Sequence, residues 1–125
     1  MAAFTRLLEG KRIMVVEDDY LVALALCTVL EEAGASVVGP IARALEAVRL
    51  LDHRDEHIDA AVLDVDLNGE KSYPVADALA RQHIPFLFTT GYGIDALDVP
   101  YRQYPRCQKP IDHQALFRAL MRGSD

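Results

Sequence analysis

Carboxylates stand at the ends of two apolar runs in this sequence. Lys11-Arg-Ile-Met-Val-Val16 leads directly into Glu17-Asp18-Asp19, and Ala60-Ala-Val-Leu63 leads into Asp64-Val-Asp66-Leu-Asn-Gly69-Glu70. Two other runs end in different reactive types, Phe86-Leu-Phe-Thr-Thr90 in hydroxyls and Arg106-Cys-Gln108 in Lys109-Pro110. Acids brought together repel one another, and a hard divalent cation relieves the repulsion. An ionised Asp can attack phosphorus, while an ammonium and a hydroxyl can stabilise the oxygens of a transferring phosphoryl group. Each residue also has an ordinary use, since Asp caps turns, Thr satisfies backbone groups and Lys is usually solvated. Five of them, Glu17, Asp18, Asp64, Thr90 and Lys109, nevertheless fall at the same kind of position, and that coincidence favours a site.

The elements that must position them follow from periodicity. Ala60 to Leu63, four apolar residues closed by a Leu-Asn-Gly turn, suit a central parallel strand covered on both faces. The same reading gives strands at Lys11–Val16, Ser36–Gly39, Ile84–Thr90 and Arg106–Gln108. A helix is expected from Tyr20 to Ala33, with Val22, Leu26, Val29, Leu30 and Ala33 inward and Gly34 as its stop. Pro40 is expected to open a turn into a second helix, Ile41 to about Asp52, with Ile41, Ala44, Leu45, Val48 and Leu51 inward. Ser72-Tyr73-Pro74 starts a third, to about Gln82, burying Val75, Ala78 and Leu79; a last helix spans Ile111 to Met121, with Ala115, Leu116, Ala119 and Leu120 inward. Strands alternating with helices predict an α/β fold, a five-stranded parallel sheet with helices on both faces. In such sheets the active crevice lies outside the carboxyl ends of the strands.

Composition sets further bounds. With 125 residues, 51% hydrophobic and 26% charged, the chain has room for one globular domain. A net charge of -6, a pI near 5.1 and no Lys/Arg cluster argue against nucleic acid as a partner. No apolar run approaches a membrane span and the start lacks a signal-peptide pattern, so a cytoplasmic protein with no membrane partner is expected. Cys27 and Cys107 have no metal-ligand spacing and are read as reduced, packed thiols. The His53-Arg-Asp-Glu-His57 segment reads as a solvated loop without function.

Two stretches stand apart. Tyr20 to Leu30 carries no charge, and Leu21 and Leu24 fall off the core stripe on a common outer side. Packing against neighbouring elements is the expected reading, and a docking face for a partner helix is the alternative. Gly91, Gly93, Pro100 and Pro105 interrupt the pattern between residues 91 and 105, so a fourth helix is short or irregular, with only Ile94 to Leu97 able to form a turn, and the segment is expected to be mobile.

The whole chain resembles the receiver domain of two-component response regulators. Glu17-Asp18-Asp is similar to that family's acidic pair, Leu63-Asp64-Val-Asp-Leu-Asn-Gly to its phospho-acceptor strand and turn, Thr90-Gly91 to its hydroxyl and small residue, and Lys109-Pro110 to its lysine motif. More narrowly, Ser72-Tyr-Pro-Val-Ala-Asp-Ala-Leu79 and Phe86-Leu-Phe-Thr-Thr-Gly-Tyr-Gly93 resemble the single-domain receivers of alphaproteobacteria named for a Phe-Ala-Thr-Gly-aromatic motif, with Thr89 in place of the motif's Ala. The resemblance implies sheet order 2-1-3-4-5 and a single receiver domain over residues 1–125 with no output domain. It implies Asp64 as phospho-acceptor, Thr90 and Lys109 beside it, and Mg²⁺ held by Glu17, Asp18, Asp64 and the Asp66 backbone carbonyl. The Lys109–Pro110 bond is expected to be cis.

Such a protein, a monomer or weak dimer, would take a phosphoryl group from a histidine kinase, of a stress-signalling type in this subfamily, or from a phosphotransfer protein. It would catalyse only its own phosphorylation and dephosphorylation, and it would signal by protein contact or phosphate flow. The Asp66 side chain would influence hydrolysis. A rival reading takes Asp64-Val-Asp66 as the nucleophile and general acid of a haloacid-dehalogenase-like phosphatase, although that motif follows the first strand of a larger fold. A phosphorylation-independent binding module is the third. Arg106 stands three positions before the lysine, where many receivers carry a switching aromatic ring, and a guanidinium does not readily enter an apolar pocket. An ordering of residues 91–105, tethered through Thr90, is therefore the expected switch.

Overall fold

Alternation along each strand divides the apolar residues between two faces of one sheet. The computed structural model describes residues 6–53, 57–91 and 97–122. Its strands are β1 (Arg12–Val16), β2 (Ser36–Ile41), β3 (Ala60–Asp64), β4 (Asp66–Leu67), β5 (Glu70–Lys71), β6 (Phe86–Thr90) and β7 (Arg106–Gln108). The helices are α1 (Tyr20–Glu32), α2 (Ala44–His53), α3 (Tyr73–Arg81) and α4 (His113–Arg122). Five strands pair in parallel in the order β2-β1-β3-β6-β7, the expected 2-1-3-4-5, while β4 and β5 form a separate antiparallel hairpin.

Because successive residues of a strand point to opposite faces, Met14, Val16, Ala61, Leu63, Phe86 and Phe88 join one buried cluster with α2 and α3 residues such as Ala47, Leu51, Val75 and Leu79. Ile13, Val15, Ala60, Val62 and Leu87 join the other, with Leu26 and Leu30 of α1 and Leu116 and Leu120 of α4. Every residue of β3 and β6 is buried, as expected of central strands covered on both sides. Cys27 and Cys107 are free and buried in the α1/α4 cluster.

The helices begin and end where the local chemistry directs. Asp19 caps α1, its Oδ1 accepting the N–H groups of Leu21 (3.0 Å) and Val22 (3.2 Å). Pro74 lies in the first turn of α3, where a missing N–H does no harm. The four sheet loops that follow β1, β3, β6 and β7 thus emerge at one edge.

Several boundaries and faces differ from expectation. The second strand continues through the cis Gly39–Pro40 bond to Ile41, because the Ile41 carbonyl still accepts the Glu17 N–H (2.9 Å), so α2 starts only at Ala44. Of the face expected inward, Ala44 and Leu51 are buried and Val48 packs half-buried beside them, but Ala47 takes a core position and Leu45 is 57% exposed. In α1, Ala23 and Cys27 take core positions while Val22 and Val29 are only half-buried. Leu21 and Leu24 are not packed against neighbours; they are 74% and 51% exposed, beside Tyr20 at 71%.

Residues 92–96, and the short helix expected at Ile94–Leu97 but for its last residue, lie outside the described residues. From 97 to 105 the chain is anchored rather than loose. Leu97 is buried, Tyr101 stacks on Tyr73 with ring centres 3.9 Å apart, and Tyr104 packs on Phe86. The Tyr73 hydroxyl accepts the Asp98 N–H at 2.8 Å, and Tyr101, in a 3-10 turn over Val99–Tyr101, donates to Asp77 at 3.0 Å. Aromatic stacking supplies what the interrupted helical pattern lacks. Residues 54–56 of the histidine-flanked segment are likewise outside the described residues; His57 is exposed and bonds Asp59 at 2.8 Å.

Gly39 has φ 118, and a Cβ there would meet the Val15 carbonyl oxygen at 2.6 Å and the Ile41 nitrogen at 2.9 Å. Gly69 has φ 90 with nothing within 4 Å of such a Cβ. Gly69→Ala should therefore lower unfolding free energy by about 1 kcal/mol, the conformational term alone. Gly39→Ala should cost about 3 kcal/mol, because rigid backbone must also move. Urea denaturation midpoints of the two variants measure the difference.

Candidate functional site

The edge formed by the carboxyl ends of the strands gathers the polar residues that the sequence singles out. Glu17 and Asp18 follow the last residue of β1, Asp64 ends β3, Thr90 ends β6, and Lys109 follows β7. Register fixes their proximity: Val16 pairs with Leu63, Asp64 with Thr89, and Thr90 with Gln108. The Thr90 carbonyl accepts the Lys109 N–H at 2.7 Å, and the Lys109–Pro110 bond is cis, as expected.

Lys109 joins the two buried acids. Its Nζ donates to Glu17 Oε1 at 3.0 Å and to Asp64 Oδ2 at 3.1 Å. Glu17, 3% exposed, also accepts the Asp19 N–H, and Asp64, 7% exposed, accepts the Asp66 N–H on its other oxygen at 3.3 Å. One carboxylate oxygen from each of Glu17, Asp18 and Asp64 lies within 4.8 Å of the others. Two charges at that separation repel by roughly 3–4 kcal/mol at an effective dielectric near 20. Burial therefore pushes the Glu17 carboxyl up to about 7, with a hydrogen bond to Asp64 acting in the same direction. Burial works against the Lys109 ammonium, but its bonds to Glu17 and Asp64 outweigh this and raise its pKa above the ordinary lysine value.

Three converging carboxylate oxygens are a hard, anionic donor set that suits Mg²⁺ or another hard cation. Asp18 is the more open of the three, and beyond it a cleft of about 630 Å³ opens between Arg43 and Ala42 on one side and Leu67, Asn68 and Glu70 on the other. Thr90 is buried at the strand end. The Asp66 side chain is exposed and turned to Lys71, and only its backbone N–H meets Asp64.

On the flank, a cleft of about 320 Å³ runs from Lys109, Pro110 and Ile111 to Leu21, Val22, Ala25 and Val29 of α1. Lys109 is thus the lining residue common to the acidic edge and the apolar flank. The Leu21–Leu24 surface was legible as an off-stripe pair. The Lys71–Asp66 pair was missed, although Asn68-Gly69 flanked by two residues on each side is a two-residue hairpin signal that places residue 66 opposite 71.

Comparison with known proteins narrows the reading. The fold matches a response regulator receiver protein from Sinorhizobium medicae WSM419, with a TM-score of 0.78 and 20% identity over 94% of this chain and 96% of that one. SdrG from Sphingomonas melonis Fr1 is 40% identical, covering 90% of this chain and 95% of that chain, with a TM-score of 0.79; the BeF3-activated conformation of SdrG from Pseudomonas melonis Fr1 matches at 38% identity with a TM-score of 0.76, covering 91% of this chain and 96% of that one. The chain belongs to the response regulator receiver domains.

No family model matches it. The Sensor protein TorS of Escherichia coli (strain K12) is 32% identical over 98 residues, 77% of this receiver but 10% of that protein. In the receiver, Asp64-Val-Asp66 follows the third strand in chain order, not the first as a dehalogenase-type phosphatase would require. Among the described residues no helix is long and apolar enough to cross a membrane.

The raised Glu17 carboxyl sets a pH dependence. A folded-state pKa near 7 against an ordinary 4.5 means that the folded protein retains a proton the unfolded chain releases. Metal-free stability should then fall as pH rises from about 5 to about 8. Glu17→Gln, which cannot ionise, should flatten that fall, and Mg²⁺ should oppose it by holding the ionised form. Urea midpoints across the range, with EDTA and with Mg²⁺, measure all three.

Proposed function

We propose that this receiver accepts a phosphoryl group on Asp64 from the phosphohistidine of a histidine kinase or phosphotransfer protein. The observation that carries the reading is Lys109 spanning Glu17 and Asp64 at 3.0 and 3.1 Å, with the Asp18 carboxylate beside them. An Asp64 oxygen attacks phosphorus, the bond from phosphorus to the imidazole nitrogen breaks, and that nitrogen keeps the electron pair. Lys109 follows the charge from the carboxylate to the phosphoryl oxygens, and the Thr90 hydroxyl donates to one of them. Glu17, Asp18 and Asp64, with the Asp66 backbone carbonyl, would hold Mg²⁺, which when bound offsets charge on the phosphoryl oxygens. The product is an aspartyl phosphate, and the domain turns over nothing but its own phosphoryl group.

Packing and hydrogen bonding both restrain the site. Asp64 sits on a central strand whose every residue is packed, so the nucleophile cannot drift. The Asp66 N–H on Oδ1 leaves Oδ2 as the oxygen bonded to Lys109. Incubation with acetyl phosphate and Mg²⁺ should add one phosphoryl mass to the wild type and none to Asp64→Asn. Asp18→Asn should weaken Mg²⁺ binding about tenfold or more, because a hard cation loses a carboxylate ligand. Labelling of Asp64→Asn at the wild-type rate would sink the assignment.

The kinase would dock on the exposed Tyr20, Leu21 and Leu24 of α1 and the apolar cleft beside Lys109. A helix laid there would place its phosphohistidine at the acidic edge. Leu21→Glu should accordingly slow transfer from a cognate kinase by about fivefold or more. Its labelling by acetyl phosphate, measured in parallel, should stay at the wild-type rate.

A further inference from the structure

The β4–β5 hairpin carries an ion pair at the border of the site. Asp66 and Lys71 are registered directly opposite each other, and their Oδ2 and Nζ atoms lie 3.3 Å apart. The pairing is built in by the backbone. Asn68 at φ 55 and Gly69 at φ 90 make the tight turn, buried Leu67 anchors one strand, and the Ser72 N–H, donated to the Val65 carbonyl at 3.0 Å, fastens the end of the other. Buried Tyr73 then begins α3, so Lys71 stands between two fixed points. Asp66 is two residues from the proposed acceptor and its N–H is bonded to Asp64 Oδ1.

We propose that Lys71 is a positioning residue that holds the Asp66 carboxylate off the phosphoryl group and so lengthens the life of the aspartyl phosphate. The inference rests on the acceptor reading of Asp64. In hydrolysis a water oxygen bonds to phosphorus, the bond from phosphorus to the Asp64 oxygen breaks, Asp64 leaves as a carboxylate, and the water gives its proton to a base. Asp66 is the acid closest in sequence to that oxygen, and a carboxylate turned back and neutralised by Lys71 is withheld from this task. Opposite charges facing each other across antiparallel strands attract. Half-exposed, at 46% and 53% for the two side chains, the pair tunes the rate and does not block it.

The test is decay of the phosphoryl label after donor removal, followed by intact mass spectrometry for the wild type, Lys71→Met, Lys71→Arg, Asp66→Asn and the double variant. Lys71→Met should lose the label roughly two- to fivefold faster, as loss of an exposed pair allows. Lys71→Arg, which keeps the charge, should stay near wild type, and Lys71→Met should have no effect in the Asp66→Asn background. Equal lifetimes in wild type and Lys71→Met, or the same acceleration in both backgrounds, would overturn the role of Lys71 while leaving Asp64 as acceptor. A label that persists in Asp64→Asn would instead overturn the acceptor reading, and this proposal with it.

Discussion

Crowding of like charge at one sheet edge is the constraint on which the rest of the structure depends. Glu17 and Asp64 are buried within 4.8 Å of each other and of Asp18. Without an opposing cation the chain would have to protonate one acid or move it into solvent. Lys109 supplies that cation from beyond the end of β7, donating to both buried carboxylates, yet burial and the neighbouring Asp64 still hold the Glu17 carboxyl above its ordinary range. A site left partly uncompensated in this way suits a further cation.

Holding the charges there requires a scaffold that does not yield. The parallel sheet does this because its two central strands are buried on both faces, each alternate residue feeding one of two separate clusters. A relaxation that separated the acids would have to disturb both clusters at once, and close-packed interiors resist such changes. The loops at the sheet edge are left to carry the chemistry.

Two features of different character flank the acidic edge. Toward α1, Lys109 borders an apolar cleft continuous with exposed leucines, so the acidic edge and a sticky flank share a residue. Toward α3, residues 97–105 are latched by the Tyr73–Tyr101 stack and the Asp98 N–H on the Tyr73 hydroxyl. Arg106, exposed on β7, takes no part in either. The segment next to Thr90 therefore carries a preformed aromatic clasp where its glycines and prolines alone suggest looseness.

The approximate positions of the five parallel strands, the fold class and the four residue types at the acidic edge were legible from the sequence. Short strand-like runs ending in acids, hydroxyls or Lys-Pro have a period and a terminus that local chemistry dictates. The start of α2, the exposure of Leu45 and the anchoring of residues 97–105 were not. Each depends on a partner distant in the chain: Glu17 on Ile41, Tyr73 on Tyr101 and Asp98. The Lys71–Asp66 pair lies between, implied by the Asn-Gly turn but visible only once the register is known. Sequence alone determined which residues end β1, β3, β6 and β7, because periodicity and turn chemistry act over a few residues. Tertiary structure decided which of those ends touch and how their charges settle, because hydrogen bonds and burial join residues as far apart as Glu17 and Lys109.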